Sequence, residues 1–190
     1  VLGVVFLLVM SGLALMDLLF GPEGAFRRTP WQETMRARLE EDYHRTFVHP
    51  YEDGEFIFAP EDDPDLLFFA YEDDDGGYQT NYPERMVMEQ MELFAEKYGL
   101  PLELDSAGEQ GYQGQLGETP GAYYLQMPLT GKSDAIQELG ELLEAMNGKQ
   151  WYWPRTPDFE VFLAYGDLHF YQFRSTEGDF DADYAQALYE

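Results

Sequence analysis

Cysteine is absent from the 190 residues, which removes disulfides, thiolate zinc sites, iron–sulfur ligation and cysteine nucleophiles together. The absence leaves the compartment open, because many cytosolic domains also lack the residue. Positive charge is scarce. Eleven Lys and Arg stand against 37 Asp and Glu, a formal net charge of -26. Phosphates repel such a chain and no basic stripe is available to release counterions, so nucleic acid is excluded as a partner. Histidine occurs three times, as His44, His49 and His169, and no H-E-x-x-H or comparable pair sets two of them on one helix face. The G-x-S-x-G elbow, the P-loop and G-x-G-x-x-G are also missing. No repeat suggests a solenoid.

What is present is core material. Hydrophobic residues make up 45% and aromatic residues 16% of the chain, too much for a disordered acidic tail. The length suits one domain, or one domain with an appendage.

Val1 to Phe20 reads VLGVVFLLVMSGLALMDLLF, interrupted only by two glycines, Ser11 and Asp17. About 20 helical residues span roughly 30 Å, the thickness of a bilayer core. The run therefore reads as a transmembrane helix instead of a buried core helix, with Asp17 near one end where it reaches headgroups. A cleaved signal peptide needs a basic n-region and small residues at the cleavage site, and neither is visible. The chain divides into an anchor at 1–20, a juxtamembrane region and linking helix at 21–50, and an acidic domain at 51–190. Arg27, Arg28, Arg36, Arg38 and Arg45 follow the span, which by the positive-inside rule argues for a cytoplasmic domain. Beyond Arg45, 6 basic residues face 31 acidic ones, a balance that an anionic inner leaflet repels. An anchor carrying one soluble domain is most often an export arrangement, and the expectation is a single-pass protein with an extracytoplasmic domain.

Thr29-Pro30-Trp31-Gln32 has the form of a capping box with proline at the first helical position. Met35, Leu39, Tyr43 and Phe47 then form one apolar stripe, Glu41 and Arg45 form an i, i+4 pair, and His49-Pro50 ends the helix. Residues 55–59 and 65–72 carry the strand pattern and pair as a hairpin, followed by a short strand at 77–81. Pro83 opens a helix with Val87, Met91, Phe94 and Tyr98 on one face, closed by Gly99 and Pro101. Leu102 to Leu104 is a further strand. Residues 105–121 carry glycine at 108, 111, 114 and 117 and read as a flexible loop, a candidate flap. Ala122 to Leu129 is a strand. Ser133 caps a helix with Ile136, Leu139, Leu142, Leu143 and Met146 inward, closed by Gly148. Residues 159–165 and 168–173 form a hairpin about Gly166-Asp167. The fold class is α+β: the N-terminal transmembrane helix, then a small domain with a mainly antiparallel sheet and helices packed on one face.

The acidic clusters 61–63, 72–75 and 179–183 offer oxygen ligands for calcium, but no register reproduces an EF-hand: Asp179, Asp181, Asp183 and Glu190 match loop positions 1, 3, 5 and 12, yet Tyr184 stands at the turn-glycine position and no exiting helix is expected beyond the loop. Solvated turns and a helix N-cap account for them, so no metal or other cofactor is assigned. His169 reads as a sheet-face histidine without a catalytic partner. Trp151-Tyr152-Trp153-Pro154-Arg155 follows a helix in a loop and collects residue types enriched at binding hot spots. Trp151, Tyr152, Trp153 and Arg155 are the candidate binding residues, with packing over a sheet edge as the competing reading. The function expected is a membrane-anchored interaction module, held in the lipid bilayer by residues 1–20, that binds a protein or cell-envelope partner without catalysis. The alternative is a carboxylate-based or metal-assisted hydrolase with loop 105–121 over its site.

Overall fold

A computed structural model describes residues 30–50, 56–106, 120–128, 133–146, 153–165 and 168–189. The apolar run 1–20, residues 107–119 of the glycine-rich loop, and Trp151 and Tyr152 lie outside the described residues. Among the described residues no helix is long and apolar enough to cross a membrane.

The chain is α+β, with two four-stranded sheets where the sequence pattern suggested one. The first half runs α1 (Pro30–Tyr43), β1 (Phe47–Val48), β2 (Ile57–Pro60), β3 (Phe68–Glu72) and β4 (Tyr78–Thr80). Its strands pair antiparallel in sequence order. Alternation along these strands sends Phe47, Phe58, Phe68 and Ala70 to one face, where Met35 and Leu39 of α1 meet them. The helix is therefore part of the core and more than a linker. It ends at Tyr43, earlier than the stripe suggested, because His44 takes a left-handed conformation at φ 51° and turns the chain. Phe47 reaches the core from a strand instead of a helix. Arg45 likewise departs from the expected pair with Glu41. Its Nε donates to Asp62 at 2.8 Å and its Nη1 to the Tyr82 hydroxyl at 2.8 Å.

The acidic turn at 72–75 is built by its own side chain. Asp73 Oδ1 accepts from Gly77 N at 2.7 Å and from Asp75 N at 3.2 Å, while Gly76 supplies φ 81°. This is the local work for which Asp is favoured in turns. Among the described residues no three acidic or histidine side chains gather as a metal site.

Helix α2 (Tyr82–Tyr98) joins the two halves. Its first residue, Tyr82, belongs to the N-terminal core. Val87, Met91, Phe94 and Ala95 belong to the second. Gly99 ends it at φ 61°, with cap bonds to Glu96 O and Ala95 O, the left-handed terminus for which glycine has no Cβ penalty.

The second half runs β5 (Leu102–Ser106), β6 (Pro120–Gln126), α3 (Ser133–Glu144), β7 (Glu160–Tyr165), β8 (Leu168–Arg174) and α4 (Ala182–Tyr189). Strands β5–β6 and β7–β8 pair antiparallel, and the central pair β6–β7 is parallel, joined through α3. Tyr123, Leu125, Val161, Leu163 and Phe173 point to one face, and α2, α3 and α4 close it with Met91, Ile136, Leu139, Leu143 and Ala185. Helix α4 occupies the stretch that offered the calcium-loop spacing: Asp181 Oδ1 accepts from Tyr184 N at 2.9 Å and caps it. The acidic residues before it that resembled a calcium loop thus include the helix cap.

The Glu89 carboxyl on α2 is held above the ordinary carboxylate range, first by burial and then by a hydrogen bond with Asp63. The folded state therefore binds this proton more readily than the unfolded state. At neutral pH the ionised group costs stability, and that cost vanishes once pH falls below the unfolded value near 4.3. Glu89→Gln should raise the melting temperature at pH 7, with the gain shrinking toward pH 4 in calorimetry. A lower melting temperature at pH 7 would contradict this assignment.

Candidate functional site

Helices α2, α3 and α4 gather on one face of the second sheet, and the cross-strand register defines the other. One row reads Glu103, Tyr124, Phe162 and Gln172 across the four strands. The next reads Asp105, Ala122, Glu160 and Arg174. A third reads Gln126, Ala164 and His169. None of these side chains belongs to the core that the helices close.

At the centre, the Tyr124 and Phe162 rings stack with centroids 4.8 Å apart and planes 8° from parallel. The His169 ring lies 5.3 Å from each, tilted 42°. A register shift between Leu163 and Ala164 explains how the histidine arrives there. An irregularity of this kind re-aims side chains. Phe170 and Tyr171 consequently both turn toward α4, meeting Tyr189 and Phe180, while His169 stays on the open side. Ala164, with one methyl group, leaves room for the imidazole to lean onto both rings.

The polar rim is uneven. Glu160 receives Arg174 Nε at 2.6 Å and Gln172 Nε2 at 3.0 Å. Glu103 and Asp105 are exposed on the edge strand β5, and no described cation lies in ion-pair range of either. The face thus combines a stacked aromatic centre with carboxylates along one side.

Of the loop proposed from sequence, Trp153 and Arg155 lie among the described residues. Trp153 is half-buried against the C-terminal core. Arg155 reaches across to the first half, donating to Glu84 Oε1 at 2.6 Å and to Thr80 O at 3.4 Å. Trp151 and Tyr152 lie outside the described residues. Tyr124 and Phe162 were not singled out from sequence, although the signal was there: in AYYLQM and EVFLAY, period-two alternation sends each to the face opposite Tyr123, Val161 and Leu163.

Elsewhere, Trp31, Thr34, Met35, Arg38 and Glu72 line a groove of about 190 Å³, below the roughly 300–1,000 Å³ of small-molecule sites. The Tyr123 hydroxyl and Glu84 Oε2 are buried without a hydrogen-bond partner among the described residues. Burial and the Glu84 charge raise the Tyr123 hydroxyl's pKa, so it stays protonated at neutral pH. No nucleophile and base are brought together by this arrangement of described residues, and the sheet face is the most developed surface. No family model, curated protein or solved structure matches the chain.

Proposed function

We propose that the chain is a membrane-anchored acidic interaction module that docks a protein partner on the uncovered face of its second sheet, without catalysis. Residues 1–20 hold it to the bilayer, and the acidic domain stands on the extracytoplasmic side, away from the anionic inner leaflet that its charge disfavours. The observation that carries this reading is the stacked Tyr124–Phe162 pair with His169 on a face the helices leave open. Aromatic side chains supply large contact area at low entropic cost, which is why they recur at the centres of interfaces. Arg155 pairs with Glu84 and Thr80 of the first half, and Trp153 packs on the C-terminal core.

A photo-crosslinking residue at Gln172, in the producing cell, should yield one discrete adduct. The same residue at Glu61, remote in sequence and on the other sheet's turn, should yield none. Phe162→Ala should abolish the Gln172 adduct while the far-ultraviolet circular dichroism stays unchanged. Equal adducts from both positions, or none from Gln172, would refute the docking face.

A further inference from the structure

We infer that the occupant of this face is a cationic, arginine-bearing segment of the partner, an inference that rests on the docking reading above. Three observations converge on that chemistry. The Tyr124 and Phe162 rings form a nearly parallel stack at a surface that no described helix covers, and a planar guanidinium stacks on aromatic faces better than a hydrated ammonium does.

Carboxylates stand beside those rings. Glu103 is directly across from Tyr124 and Asp105 from Ala122, and directly opposed residues place their Cβ atoms about 4.5–5.5 Å apart. A guanidinium lying on Tyr124 is therefore within reach of Glu103. The face already contains one example of the pairing, because Arg174 sits on Glu160 at 2.6 Å. Glu103 and Asp105 repeat the carboxylate on the opposite edge without a described cation.

Charge complementarity selects among occupants. A chain of net charge -26 repels nucleic acid, anionic lipid and a second copy of itself, and attracts a basic segment over the range set by ionic strength. An ordinary apolar peptide would gain from the rings but would leave Glu103 and Asp105 desolvated and unpaired, which costs free energy.

The test uses the full chain in neutral phosphatidylcholine nanodiscs and a blocked peptide of three Gly-Arg repeats. Amide shifts should concentrate on β5 to β8 around residues 103, 124, 162 and 169. Replacing arginine by citrulline, which keeps the shape and removes the charge, should weaken binding at least about tenfold. Glu103→Gln with Asp105→Asn should weaken it about fivefold, whereas Asp74→Asn with Asp75→Asn, exposed acids in a turn of the other sheet, should leave it unchanged. Equal binding of the citrulline peptide, or shifts spread over every acidic surface, would overturn the inference. If the peptide fails while the Gln172 adduct persists and remains sensitive to Phe162→Ala, the cationic occupant is wrong and the docking face stands. If both fail, the two readings fall together.

Discussion

Phe68→Ala should lower stability by about 3–5 kcal/mol, the usual loss for a buried phenylalanine. Its ring is fully buried and is central to the N-terminal core. It lies 5.3 Å from Phe47, 6.1 Å from Phe58 and 4.7 Å from Tyr82. Alanine removes all three contacts, and the neighbours, drawn from β1, β2 and α2, cannot collapse into the space without shifting separate elements. Against a typical domain stability of about 5–15 kcal/mol, the loss is a large share. Urea denaturation followed by the fluorescence of the three tryptophans and by far-ultraviolet circular dichroism would measure it. The two probes should report one transition, since α2 contributes residues to both cores. A loss below about 1 kcal/mol would remove Phe68 from the centre of that core.

The second large effect concerns a position where neighbours crowd a glycine. A Cβ on Gly140 would come 3.1 Å from the Ala182 Cβ and 3.1 Å from Phe180 Cδ1. Gly140→Ala sets that crowding against the roughly 1 kcal/mol that alanine gains over glycine inside a helix, so its net effect should be small. Gly140→Val adds two methyl groups and a stiff χ1 at the same contact. It should cost about 1–3 kcal/mol through overpacking. Helix α4 is the element able to move, because it is short and Ala185 is its buried residue. Limited proteolysis should then cut in 175–181, ahead of α4, while the rest of the sheet resists. Wild-type resistance in the valine variant would mean that the helices are not in close contact there.

Much of this fold was legible because local chemistry and tertiary packing agree. The pattern Val87, Met91, Phe94 with Gly99 behind it described α2, since the same spacing that makes an amphipathic face also buries it. The second half was equally readable from Ile136, Leu139 and Leu143. Elsewhere a residue's destination concealed its route. Phe47 continued the stripe of α1 at helical spacing, and burial alone could not distinguish a further helical turn from a strand after a left-handed His44. Helix α4 was hidden because its acidic approach resembles a cation loop and its one buried residue, Ala185, gives no apolar stripe. The division into two sheets depends on which strands find each other, and strand periodicity does not encode partners.

The candidate site was partly visible in the same way. His169 was recognisable as a sheet-face residue, but its company with Tyr124 and Phe162 depends on a parallel pairing and on the register shift beside Ala164. The WYWPR loop attracted attention by composition, yet composition says nothing of direction. Arg155 pairs with Glu84 while staying exposed, and Trp153 is half-buried against the core.

The parallel pair at the centre of the second sheet sets the order in which the molecule can assemble. Strands β7 and β8 are neighbours in sequence and can zip early. Strands β6 and β7 are separated by the whole α3 crossover, and closing so long a connection requires its entropy to be lost before any ladder bond rewards it. The Tyr124–Phe162 stack spans that late seam. The aromatic face should therefore form after the β7–β8 hairpin, and a chain in which β6 and β7 have not yet paired cannot present it.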